Sequence, residues 1–150
     1  MSNGQEAPRV RIKSFKPLES AMASAFMARG PLKGTWSFGV PLESARSREA
    51  LRLDPASGFW MRYSWMYKID GVVDTGPEVW VVEFEVKPRF AILMRLELYT
   101  AFYEEQYRPG KPMRQALVYL EDAPDTVAML LRKGVTVYKW DMEAEAVVGP

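Results

Sequence analysis

The run "VWVVEFEVKPR", Val79 to Arg89, constrains this chain more than any other stretch. Successive side chains of a strand point to opposite faces of its sheet. One face therefore carries Trp80, Val82, Phe84 and Val86, all apolar, while Glu83, Glu85 and Lys87 share the other. A strand with so apolar a back belongs inside a sheet. Charges in that position are expensive unless they have partners or a task.

What the task is depends on which chemistry the chain can perform. Among 150 residues there is no cysteine and no histidine. Disulfides, thiolate catalysis, histidine general bases, Ser-His-Asp triads and Cys- or His-ligated metals are all excluded. Carboxylates, lysine, tyrosine, hydroxyls and a hard, oxygen-ligated cation remain. The length suits one domain with a real core. No apolar run reaches the roughly 18–20 residues of a membrane span. "MSNGQEAPRVRIKSFKP" lacks the apolar core of a secretory leader, so a cytoplasmic location is expected.

The net charge of +1 conceals an asymmetry. Residues 1–70 carry 11 Lys/Arg against 6 Asp/Glu, and residues 71–150 carry 9 against 13. A basic half beside an acidic half suits a phosphate-rich partner near a metal, and ordinary surface variation explains it equally well.

The pattern predicts one α/β domain over residues 9–150 behind a loose tail of residues 1–8. "VRIKSF" reads as a short strand. "PLESAMASAFMARG" reads as a helix, with Pro17 in its first turn and Gly30 as its stop. "TWSFGV" reads as a strand, and "ESARSREALRL" as a short helix or a polar excursion. "GFWMRYSWMYKIDGVVD" is aromatic and then β-branched, which predicts a long strand or hairpin arm. In that strand Trp60, Tyr63, Trp65 and Tyr67 read as core, with an oligomer interface and base stacking as the other readings. "DTGPE" is a turn leading into Val79, so the two strands should form an antiparallel hairpin. Beyond Pro88 the apolar residues at 92, 93, 96, 99, 102 and 103 follow a helical period. "RQALVYLED", "APDTVAMLLRKG" and "VTVYKW" complete an order β-β-α-β-α-β from residue 60. Helices between strands require crossovers and a partly parallel sheet, so a mixed central sheet flanked by helices is expected.

The predicted hairpin brings Asp70 within reach of Glu85, with Lys87 nearby. Two carboxylates side by side bind Mg²⁺ or Mn²⁺, and a lysine can orient a water and offset charge on a phosphorane. "KID", a turn and "VVEFEVKPR" resemble the PD-(D/E)XK nuclease superfamily over roughly residues 59–140. The helix, strand, helix and strand that follow match the order of that superfamily. The resemblance implies a restriction-endonuclease-like core. Asp70 and Glu85 would be metal ligands, joined by the Val86 carbonyl, and Lys87 would position the attacking water. Ile69 replaces the proline of the motif, and Arg95 stands where many members have a glutamine, one turn before Tyr99. Glu83 is an additional acid on the site face. It opens a second frame, Glu83-Phe84-Glu85, with Glu85 in the place of the lysine, as in E-x-E members.

Two functions follow. One is a small Mg²⁺-dependent endonuclease whose partner is DNA, with Arg95, Tyr99, Lys111 and Arg114 at the nucleic acid. The other is an inactive nuclease-fold module in a homo-oligomer or larger assembly, such as a phage neck, which would place it in a virion. Neither expects a membrane partner. Charges that merely pair at a sheet edge would satisfy the same pattern without any metal.

Overall fold

A computed structural model describes residues 16–53 and 58–150, and for residues 58–61 the backbone alone. The expected tail at 1–8 and the expected strand "VRIKSF" lie outside the described residues. The described part forms a single α/β unit with a six-stranded sheet in the order β1-β2-β3-β4-β5-β6. Its elements are α1 (Pro17–Arg29), β1 (Thr35–Leu42), α2 (Ala45–Leu53), α3 (Gly58–Trp65), β2 (Tyr67–Asp74) and β3 (Val79–Glu85). They continue with α4 (Ala91–Tyr107), β4 (Met113–Tyr119), α5 (Pro124–Arg132), β5 (Thr136–Asp141) and β6 (Ala146–Gly149).

The first three strands form an antiparallel meander. β3, β4 and β5 run parallel, with α4 and α5 as their crossovers, and β6 returns antiparallel along the edge. The sheet is therefore mixed, and β3 lies inside it between β2 and β4. The edge strand β6 was not anticipated; "AVVG" is too short to carry a period.

Each face of the sheet has its own core. Met22, Ala23 and Phe26 of α1 pack with Val73, Val82, Phe84, Val118 and Trp140. Ile92 and Leu96 of α4 and Leu130 of α5 pack with Val79, Val81, Leu117 and Tyr119 on the opposite face. Within β3 the residues alternate between the two cores as a strand requires, which sends Glu83 and Glu85 towards the α4 side. Each fully buried aliphatic or aromatic side chain contributes roughly 1.5–3 kcal/mol, so the sheet is held firmly from both sides.

Glycine shapes two of the connections. A Cβ at Gly30 would stand 2.4 Å from the Phe26 carbonyl oxygen, so only glycine lets α1 end there. In the β2–β3 turn Gly76 takes φ +100°, and its N–H donates to Asp74 Oδ1 at 2.9 Å. That is an Asx-type turn, with Asp74 as its first residue.

One expected strand is a helix. "GFWMRYSW" forms α3, which packs against α2, and β2 begins only at Tyr67. The segment has no β-branched residue before Ile69, and aromatic preference for strands depends on a sheet surface to pack on. Here α2 offers a helical partner instead. Ser44 Oγ donates to the Trp65 carbonyl at 2.7 Å and ties the hairpin down. The expectation that the aromatics of this run are core fails for Tyr63, Trp65 and Tyr67, which are exposed, while the Trp60 side chain lies outside the described residues.

Candidate functional site

Four residue pairs join β2 to β3: Asp74 with Val79, Val73 with Trp80, Val72 with Val81 and Gly71 with Val82. β2 stays paired with β1 as far as Tyr67, so beyond Gly71 it follows β1 and parts from β3. Two carboxyl groups occupy the gap. The Asp70 N–H donates to Glu83 Oε2 at 3.1 Å, and the Phe84 N–H donates to Asp70 Oδ2 at 2.9 Å. Side chains thus take over the backbone donors that the interrupted ladder leaves behind.

The acid that meets Asp70 is Glu83. The side chain of Glu83 is buried to 1% exposure, and its Oε1 meets no hydrogen-bond donor among the described residues. Desolvation pushes the Glu83 carboxyl well above the usual carboxylate range, and the Asp70 charge beside it adds to the rise. Burial also raises Asp70, against the hydrogen bonds it receives from Glu83 and from the Phe84 N–H. Two carboxyls in contact and out of water cannot both hold a charge cheaply, so one proton lies between them when no cation does.

Around this pair stand further charges from three elements. Glu85, the next residue on the same face of β3, accepts from Arg95 Nη1 at 3.0 Å and from the Arg89 N–H at 3.4 Å. Burial raises its carboxyl, and the Arg95 guanidinium opposes that rise. Tyr99, one turn along α4 from Arg95, is pushed up to about 12 by burial and by the Glu83 charge. Glu19, in the first turn of α1, bears electrostatically on both Asp70 and Glu85. Sequence reasoning missed Glu19. Its only local signal was a place at the start of a helix, where an acid is ordinarily explained by the helix dipole.

The other expected residues lie elsewhere. The Val86 carbonyl accepts the N–H groups of Leu120 at 3.0 Å and Glu121 at 2.8 Å, so both its lone pairs are already used. Lys87 is exposed beyond the end of β3. It lines a shallow opening with Phe90 and the start of α5, and Asp70, Glu83 and Glu85 are not part of that lining. Lys111 pairs with Asp74 at 2.7 Å, and Arg114 pairs with Glu78 at 2.8 Å. Both stand at the turn end of the hairpin, about 13 Å or more along the strands from Asp70 by ordinary strand rise. Arg95 and Tyr99 are the two expected nucleic-acid contacts that the fold brings to the acids.

Compared with protein-family models, with curated proteins and with solved structures, the chain matches none of them. The case for a function therefore rests on the site. Its oxygens are hard donors of the kind Mg²⁺ and Mn²⁺ prefer, and Glu83 Oε1 is a buried oxygen without a hydrogen-bond partner among the described residues. Among the described residues no cluster of three or more Asp or Glu is arranged to hold a metal ion. No described helix is long and apolar enough to cross a membrane.

Proposed function

We propose that this chain is a small divalent-metal-dependent nuclease with a restriction-endonuclease-like core, acting on DNA through Asp70, Glu83 and Glu85. The observation that carries the reading is the buried Asp70–Glu83 pair in the gap where β2 leaves β3. Nothing in the folding of a hairpin calls for an under-bonded carboxyl there, and a neutral residue would be cheaper. The arrangement favours the E-x-E frame over the E-x-K frame. Glu83 stands against Asp70, Glu85 takes the position of the lysine, and Lys87 faces another opening.

Asp70 and Glu83 would hold the cation, which when bound supplies Lewis-acid stabilisation of the phosphoryl oxygens and a more acidic water. The chain itself does the rest. Burial keeps the two carboxyls dry, and their N–H contacts hold Asp70 Oδ2 and Glu83 Oε2 in place. Glu85, raised by burial, is suited to accept a proton from an attacking water, and Arg95 holds its side chain in position. Tyr99 is suited to donate a hydrogen bond, since its high pKa keeps it protonated at neutral pH.

The alternative, an inactive module in a larger assembly, is favoured by the Arg95–Glu85 ion pair. That pair fills space beside the acids with a cation of the protein's own. Nicking of supercoiled plasmid in Mn²⁺ separates the two readings. The nuclease reading expects nicking by the wild type and its loss in Glu83→Gln and Glu85→Gln. No nicking by the wild type leaves the inactive module as the better account, and nicking that survives both substitutions shows that neither carboxylate does the chemistry and overturns the site assignment.

A further inference from the structure

The crossover helix α4 is apolar on both of its sides. Ile92, Leu96, Tyr99 and Tyr103 turn to the sheet and pack in its core. On the opposite side Phe90 is 61% exposed, Met94 76% and Leu98 37%, and Ala91 and Ala101 are exposed with them. Ala91, Met94, Leu98 and Ala101 follow one another at steps of three and four residues, so they form one stripe along the helix. At 1.5 Å per residue the stripe is about 15 Å long. A helix on the outside of a sheet ordinarily turns polar residues to water, and one that is apolar all round is a helix covered on both sides. Among the described residues nothing covers this stripe, as the exposure of Met94 shows.

The charge around the stripe has one sign. Glu97 flanks it, Glu105 continues its line, and Glu104 stands beside Glu105 in the last turn, all three exposed. Among the described residues none of these acids pairs with a cation, and Arg95, the one cation within α4, is held by Glu85. The last turn of a helix is the negative end of its dipole, where acids are unfavourable and Lys or Arg is favourable. In α4 that turn holds two acids and no base. Carboxylates left at that pole without an offset favour a cation brought from outside.

We infer that the outer face of α4 docks a basic amphipathic helix of another protein. The apolar stripe of that helix lies on Met94 and Leu98, and its Lys or Arg side chains meet Glu97, Glu104 and Glu105. A stripe at steps of three and four residues fits a helix, whose own ridges repeat at the same steps. A second copy of the chain fits less well. Antiparallel self-pairing of α4 would bring together Glu97 and Glu104 of the two copies, and parallel pairing would set Glu97 opposite Phe102, so neither supplies a cation. The stripe is on the side of α4 turned away from the sheet, so the inference does not rest on the nuclease reading.

Fluorescence anisotropy tests it with two labelled synthetic peptides of about 21 residues, both with leucine at the first and fourth positions of each heptad. One carries lysine at the positions flanking the leucines, and the other carries glutamate there. The wild type should bind the lysine peptide and leave the glutamate peptide free. Met94→Ser with Leu98→Ser should weaken binding of the lysine peptide by about tenfold or more. Glu97→Gln, Glu104→Gln and Glu105→Gln together should weaken it as well, and should flatten its dependence on salt. All five positions are exposed, so melting temperatures should stay near that of the wild type, and the glutamine set keeps the test open if the serine pair unfolds. No binding of the lysine peptide, equal binding of the glutamate peptide, or indifference to the serine pair overturns the inference. A dimer in sedimentation that the serine pair dissolves would give the face to a second copy. Displacement of the lysine peptide by a peptide of residues 1–15 would give it to the chain's own first residues. Either of these results also overturns the inference.

Discussion

The two ends of the β2–β3 hairpin are built from the same residue types and treat them in opposite ways. At the turn end Asp74 and Glu78 meet Lys111 and Arg114, partly in solvent, and the Asp74 carboxyl is held below its usual range by Lys111 and the Gly76 N–H. At the open end Asp70 and Glu83 are driven together, lack a basic partner in contact, and are held above the usual range by burial. Acids that serve the fold are paired and wet. Acids placed dry and against each other lower stability, and under the nuclease reading they serve the site rather than the architecture.

The largest expected effect is on activity. Under the nuclease reading Asp70→Ala should cut nicking by about a hundredfold or more, the scale of losing a group that holds charge in the transition state. In calorimetry the same substitution should remove the heat of Mn²⁺ binding. Equal heats in wild type and variant would make the two ends of the hairpin alike, and the comparison would fail.

Next comes a change that should raise stability while ending activity. Glu83 has a raised pKa in the folded chain, so the stability it contributes is complete below the ordinary carboxylate value, about 4.3. It declines as pH rises through the higher folded value. Glu83→Gln removes that decline. Thermal melts should show the variant ahead of the wild type by about 2 kcal/mol at pH 8, and by much less near pH 4. A variant equally destabilised at both pH values would mean that Glu83 is bonded in a way the geometry does not predict.

Arg95→Met removes the only basic side chain in contact with Glu85 among the described residues. Both groups are partly solvated, so the loss should be about 1 kcal/mol in denaturant titration, and the Glu85 carboxyl should rise further. A gain in Mn²⁺ affinity on this substitution would identify Arg95 as an obstacle to the metal and so favour the inactive module. The smallest effects belong to the turn end. Lys111→Gln and Arg114→Gln should each shift stability by less than about 1 kcal/mol, as exposed pairs do, and leave nicking unchanged.

Much of the framework was legible in the sequence because it rests on short-range rules. Pro17 and Gly30 bracket α1, and the period from Ile92 to Tyr103 places α4. The turn at Gly76 and the two apolar runs around it specify the hairpin. The alternation in β3 already separated Glu83 and Glu85 from Val82 and Phe84. Where a rule had competitors the reading failed. The aromatics of 58–65 satisfy a strand or a helix equally, and α2 decided for the helix.

The sequence by itself determined that a chain without cysteine or histidine must rely on oxygen chemistry, and that an acidic face lies on an otherwise apolar strand. Which acids meet was decided only in three dimensions. Period and turn chemistry constrain neighbours along a strand but not the point at which two strands separate. β2 leaves β3 at Gly71 because it follows β1, and that departure gives Asp70 to Glu83 rather than to Glu85. Beyond the last residue of β3 the chain turns away, which takes the Val86 carbonyl to two amides and Lys87 to solvent. Register across a sheet depends on contacts between distant segments, and no local pattern encodes where such contacts stop.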